Sequence, residues 1–159
     1  MSTSRFAVAV ALPLALLTFA LILLLTPVRF DNPAEASVPG RFTCDVTGVH
    51  DGDGPIYCAN GAKIRLTAIA ARELDETCRP GHPCPTASGA AAKAALNKLA
   101  GRQRLQCEAT GRSYGRVNAW CWRPDGTELN CAMVESGTAM AWPRYDPSGR
   151  LCDTSNSST

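Results

Sequence analysis

Arg41-Phe-Thr-Cys-Asp-Val-Thr-Gly-Val-His-Asp-Gly-Asp-Gly-Pro-Ile-Tyr-Cys-Ala-Asn-Gly-Ala-Lys-Ile-Arg-Leu-Thr-Ala68 is the stretch that decides the fold. Phe42, Cys44, Val46 and Val49 follow a strand-like pattern, and Asp51-Gly52-Asp53-Gly54 is strong turn chemistry. Extended character resumes at Ile56-Tyr57-Cys58. Asn60-Gly61 is the best short hairpin signal in the chain, and behind it Ile64, Leu66 and Ala68 alternate with Lys63, Arg65 and Thr67. These signals predict three strands in a meander.

Downstream, Ala70 to Pro85 is polar and proline-rich, and reads as a long surface loop. A helix follows to Ala100, capped by Thr86 or Ser88, with Gly101 expected in the left-handed C-terminal position and Ala91, Ala95, Leu96 and Leu99 on its apolar side. Leu105–Cys107 and Val117–Trp122 read as strands around the turn Gly111–Gly115, and a short helix spans Glu128–Ser136 before Gly137. Three strands, a loop and helix, two strands and a last helix make a mainly β fold, a five-stranded barrel of oligonucleotide-binding type with two packed helices.

Upstream, Phe6 to Val28 carries no charge, with Arg5 before it and Arg29 after it. As a helix this run is long enough to span a bilayer core of ~30 Å, so residues 1–30 are expected to be a transmembrane anchor; the alternative is a signal peptide cut near Ala34-Glu35-Ala36. Residues 31–40 read as a linker, 41–152 as the folded domain and 153–159 as a polar tail. The 16 Lys and Arg against 14 Asp and Glu exclude a polybasic mode of binding, and 45% hydrophobic against 19% charged residues exclude a disordered chain.

All eight cysteines lie beyond the apolar run, at Cys44, Cys58, Cys78, Cys84, Cys107, Cys121, Cys131 and Cys152. An even count without Cys-x-x-Cys reads as a disulfide framework in an oxidising compartment, with the domain outside the cytoplasm. Zinc on Cys78, His82 and Cys84 is the rival reading, but the spacing matches no common zinc module. Eight cysteines allow 105 pairings. Strand proximity in a barrel suggests Cys44 with Cys58, Cys78 with Cys84, Cys107 with Cys121, and Cys131 with Cys152.

Taken singly, the polar residues of interest have plain readings. Asp51 and Asp53 suit a hairpin turn, Arg65 a solvated strand face, Glu73 an acidic loop with Asp75 and Glu76, and Arg116 a turn flank. In order, however, Val49-His-Asp-Gly-Asp53, Lys63-Ile-Arg-Leu66, Glu73, Tyr114-Gly-Arg116 and Glu128-Leu-Asn-x-Ala-Met-Val-x-x-Gly137 resemble the thermonuclease, or staphylococcal-nuclease-like, family. The resemblance covers roughly Phe42 to Tyr145.

That resemblance implies a barrel of the same kind and hydrolysis of phosphodiester bonds in DNA or RNA, usually with calcium. Arg65 and Arg116 match the phosphate-clamping arginines, Glu73 the water-activating carboxylate, Asp53 a metal ligand and Asp51 a supporting acid. The chain departs from the family pattern where Ala70 stands for the second metal carboxylate, which weakens the expected Ca2+ site unless waters, a backbone carbonyl and Asp75 or Glu76 compensate. Arg72 replaces a proline, and would either stand in for cation charge or pair with Glu73. The expected protein is therefore a monomeric, exported nuclease with a nucleic-acid substrate, tethered to the membrane or secreted. The alternative is an inactive module of the same fold that binds nucleic acid or another anion.

Overall fold

A computed structural model describes residues 40–153; the expected membrane anchor, most of the linker and all but the first residue of the tail lie outside the described residues. No helix among the described residues is long and apolar enough to cross a membrane. The architecture is mainly β, a closed five-stranded mixed barrel with two short helices.

The three strands expected from the opening stretch are β1 (Arg41–Val49), β2 (Ile56–Cys58) and β3 (Lys63–Leu66), joined as an antiparallel meander. Their alternation decides the inside: Cys44, Val46, Ile56, Cys58, Ile64 and Leu66 are all buried, while residues between them face outward or stand at the rim. β1 is shared between two neighbours. Arg41–Asp45 pairs with β5 (Arg104–Ser113), Val46–Val49 pairs with β2, and a register shift between Val46 and Gly48 bends the strand. β5 pairs antiparallel with β6 (Arg116–Trp122), and β6 closes the barrel by running parallel to β3, with Ile64 opposite Val117 and Leu66 opposite Ala119. Closure leaves none of these strands with a free edge.

The first helix, α1 (Gly89–Ala100), starts at Ser88, whose Oγ accepts the amide of Ala91 at 3.1 Å. Two expectations about it are corrected. Leu96 is buried and Ala95 and Leu99 pack partly buried against the core as expected, but Ala91 is exposed, and the fully buried positions beside Leu96 are Gly89, Ala92 and Ala100. Gly101 is not left-handed, at φ −57°; Arg102 takes that conformation at φ 59°. Gly101 is required for space, since a Cβ there would press on the Asn97 carbonyl.

The second helix, α2 (Leu129–Glu135), buries Leu129, Asn130 and Met133. Asn130 is fully buried and joins three segments: its amide nitrogen donates to Thr67 O at 2.8 Å and Ala119 O at 3.2 Å, and its oxygen accepts from Cys121 N at 3.2 Å. The helix is thereby pinned across the β3–β6 seam. A short antiparallel ribbon pairs β4 (Ile69–Ala70), directly after β3, with β7 (Met140–Ala141), after α2, and the Trp142 amide donates to Ala68 O at 2.6 Å. β5 runs on through the stretch expected to turn from Gly111, so the hairpin bend contracts to Tyr114-Gly115, with both residues at positive φ.

The four disulfides are Cys44–Cys58, Cys78–Cys84, Cys107–Cys121 and Cys131–Cys152, the pairs that strand proximity suggests. Two of them lie across paired strands, β1 with β2 and β5 with β6; Cys78–Cys84 closes a loop, and Cys131–Cys152 ties α2 to the C-terminal segment. No cysteine is left for zinc. Four disulfides suggest an oxidising, extracytoplasmic location. Among the described aromatic residues, Trp120 is buried and Phe42 packs against the core, whereas Tyr114 is 94% exposed at the hairpin tip.

Candidate functional site

The candidate site is built around the turn Asp51–Gly54 between β1 and β2. Glycine is needed at residue 52 because a Cβ there would collide with that of Ala92 on α1 and lie 2.7 Å from that of Ala71. Gly54, at φ 114°, lets the turn lie directly on the Ile64 carbonyl. The two glycines therefore press the turn between helix and barrel, which buries both acids.

Asp51 is 9% exposed and its Oδ1 accepts the Asp53 amide at 3.2 Å. Asp53 Oδ2 forms an ion pair with Arg65 Nη2 at 2.8 Å and accepts the Ala71 amide at 3.0 Å. Arg65 does more than pair: Nη1 donates to Asp53 O at 3.1 Å and Leu66 O at 3.3 Å, and Nη2 to Ile69 O at 3.2 Å. The plain reading of a solvated strand arginine is thus overturned, since the guanidinium is held among backbone carbonyls with its side chain 14% exposed.

Burial pushes the Asp53 carboxyl up to about 7, with Asp51 and Glu73 adding to the rise and Arg65 and the Ala71 amide opposing it. Arg65 is lowered, chiefly by the same burial. Asp53, Arg116, Asp51 and Glu73 all act on the Arg65 charge, so the residues singled out along the sequence share one electrostatic neighbourhood. Arg116 stands on β6, one position before the Val117 that faces Ile64 on β3, and its Nε is buried without a hydrogen-bond partner among the described residues.

Glu73 sits at the entrance to the loop before α1. A Cβ at Gly89 would collide with the Glu73 carbonyl, so the start of the helix and the acid abut. Its carboxylate is engaged by Arg79 Nε at 2.9 Å, a partner that nothing in the sequence pattern indicated. An open cavity of about 300 Å³ is walled by His50, Asp51, Glu73 and Arg79 among others, and Arg65 and Arg116 stand outside its lining.

Arg72 does not pair with Glu73, whose partner is Arg79. Arg72 instead donates to Glu76 O at 2.8 Å and Pro85 O at 2.9 Å, holding the loop together. The acids proposed as substitute ligands are committed as well: Asp75 caps Thr77, and both carboxylate oxygens of Glu76 accept the Gly89 amide at the start of α1.

Calcium takes ~6 to 8 oxygens, several of them from carboxylates. Here Asp53 spends one oxygen on Arg65 and Ala71, Asp51 spends one on the Asp53 amide, and Ala70 supplies a buried methyl. Among the described residues no trio of acids at this turn brings three carboxylate oxygens within 4.8 Å of one another. As arranged, these donors fall short of a calcium shell, and Asp53 already carries an arginine as its partner.

No protein-family model matches the chain. The chain is 30% identical over 90 residues to the succinoglycan biosynthesis protein ExoI of Rhizobium meliloti (strain 1021), an overlap of 55% of this chain. It spans about half of that relative's length, 47%. This distant match and the five-stranded mixed barrel are consistent with a staphylococcal-nuclease-like fold of the oligonucleotide-binding class.

Proposed function

We propose that the protein is an exported, nuclease-like hydrolase of phosphodiester bonds in DNA or RNA, acting at Arg65, Arg116 and Glu73. One observation carries the reading: two guanidiniums from neighbouring strands act on one another beside a carboxylate, and one of them keeps a buried donor without an acceptor. Holding like charges together is unfavourable, and a bound phosphate offsets that cost.

In this reading the arginines bind the phosphate and stabilise the charge that builds on its oxygens as the phosphorus becomes five-coordinate. Glu73, released by Arg79, orients a water and accepts its proton as the new P–O bond forms and the ester P–O bond breaks, the departing sugar oxygen taking a proton from solvent to leave as the alcohol. No step is routed through calcium.

A second reading, a module that binds without turnover, is favoured by the Glu73–Arg79 ion pair and by Ala70. One assay separates them. The full-length, disulfide-intact protein is incubated with labelled single-stranded DNA and RNA under calcium, magnesium, manganese or chelator. Hydrolysis that falls by about 100-fold in Glu73→Gln while binding persists supports the first reading. Binding without cleavage under every condition supports the second. Full activity in Glu73→Gln removes the acid from the mechanism.

A further inference from the structure

His82 belongs to the loop closed by Cys78–Cys84, and its contacts tie it to segments that adjoin the arginine site, with Arg65 among the charges that act on its ring. Its amide donates to Arg79 O at 3.0 Å, which ties it to the residue that pairs with Glu73. Its ring packs on Trp142 with centroids 4.3 Å apart. Trp142 is in turn fixed by the hydrogen bond that its backbone N–H donates to Ala68 O, adjacent to the Ile69 carbonyl that receives Arg65 Nη2. Neither ring nitrogen of His82 is hydrogen-bonded among the described residues.

We propose that His82 is a third cationic contact of the phosphate site, its ring N–H donating to a phosphodiester oxygen, so that binding the anion takes up a proton at this ring. The inference rests on the reading of Arg65 and Arg116 as a phosphate clamp. The charged groups acting on the ring are Arg65 from β3 and Arg79 and Glu73 from the loop. In the free protein, burial and then the two guanidiniums hold the ring below the ordinary histidine value, against the opposing pull of Glu73. A bound diester neutralises the guanidiniums and adds negative charge, so it favours the imidazolium. By linkage, protonation then tightens binding by the same factor.

The chain has two histidines, so the ring signals of the full-length protein, labelled with 15N at histidine, are assigned by one His50→Gln variant. The probe is a thymidine tetranucleotide without a terminal phosphate, because its diester charges do not titrate in the range used. Saturating probe is expected to raise the His82 midpoint by about one pH unit, which corresponds to about tenfold tighter binding at about pH 5 than at about pH 8 from this ring. Asp53 titrates in the same range, so the affinity ratio is compared with that of His82→Gln, in which the Asp53 contribution persists.

Binding that depends on Arg65 and Arg116 but leaves the His82 midpoint unmoved overturns this inference and spares the phosphate clamp. Absence of binding by the probe and by longer single-stranded DNA overturns both.

Discussion

The buried Asp53 carboxyl makes stability depend on pH in a direction opposite to that of an ordinary salt-bridged acid. Its folded value of about 7 lies above the ordinary aspartate value of 3.8, and burial is the main cause. At about 1.4 kcal/mol for each tenfold change in proton affinity, the rise amounts to about 4 kcal/mol. Between those two pH values the folded chain keeps a proton at Asp53 that the unfolded chain has lost. The folded state therefore binds more protons there, and stability falls as pH rises: the contribution is complete below about pH 4 and gone above about pH 7.

Asp53→Asn removes the titration while keeping an acceptor for the Ala71 amide. Thermal unfolding of the disulfide-intact protein, followed by tryptophan fluorescence from about pH 4 to about pH 8, should show the wild type losing on the order of 15 °C relative to the variant across that range. Glu128, also raised by burial, and Glu108, lowered chiefly by its hydrogen bond to Arg150, titrate in both proteins and cancel in the difference. Parallel pH profiles for the two proteins would show that Asp53 carries no such penalty. A difference of opposite sign would mean that Arg65 holds the carboxylate ionised and that the ion pair outweighs burial.

Other outcomes follow from the same structure. Gly52→Ala places a methyl against Ala92 and Ala71, and should cost about 1 to 3 kcal/mol in urea unfolding by pushing α1 off the turn; an unchanged midpoint would mean the helix yields freely. Asn130→Ala leaves Thr67 O, Ala119 O and the Cys121 amide to find other partners, and should cost about 3 kcal/mol in the same assay. Reduction of all four disulfides removes ~2 to 4 kcal/mol apiece from a domain whose whole stability is expected near ~5 to 15 kcal/mol, so circular dichroism should show the reduced chain unfolded.

The barrel was legible because its signals are local. Alternation in β1 to β3, the Asn60-Gly61 turn and the Ser88 cap each act within a few residues, and each appears where short-range chemistry puts it. On α1, Leu96, Ala95 and Leu99 meet the core as expected, whereas Ala91 is exposed and Ala92 and Ala100 take the buried places. In an alanine-rich helix the pattern hardly distinguishes one face from the next, and the choice fell to which methyls fit against the barrel.

The amino-acid sequence by itself pointed to the class of fold and to a disulfide framework, and its resemblance to a family singled out the acids and arginines worth watching; the barrel's strand layout, seen in the structure, settles which cysteines pair. Only the tertiary structure decided how those groups spend their charges. Arg65 lies on Asp53, Glu73 on Arg79, Arg72 on the carbonyls of its own loop, and Arg116 keeps a buried donor unused. The reason is physical: strand, turn and cap preferences are set by neighbours along the chain, whereas a side chain's partner and its desolvation depend on what barrel closure and the stapled loop bring within a few ångströms.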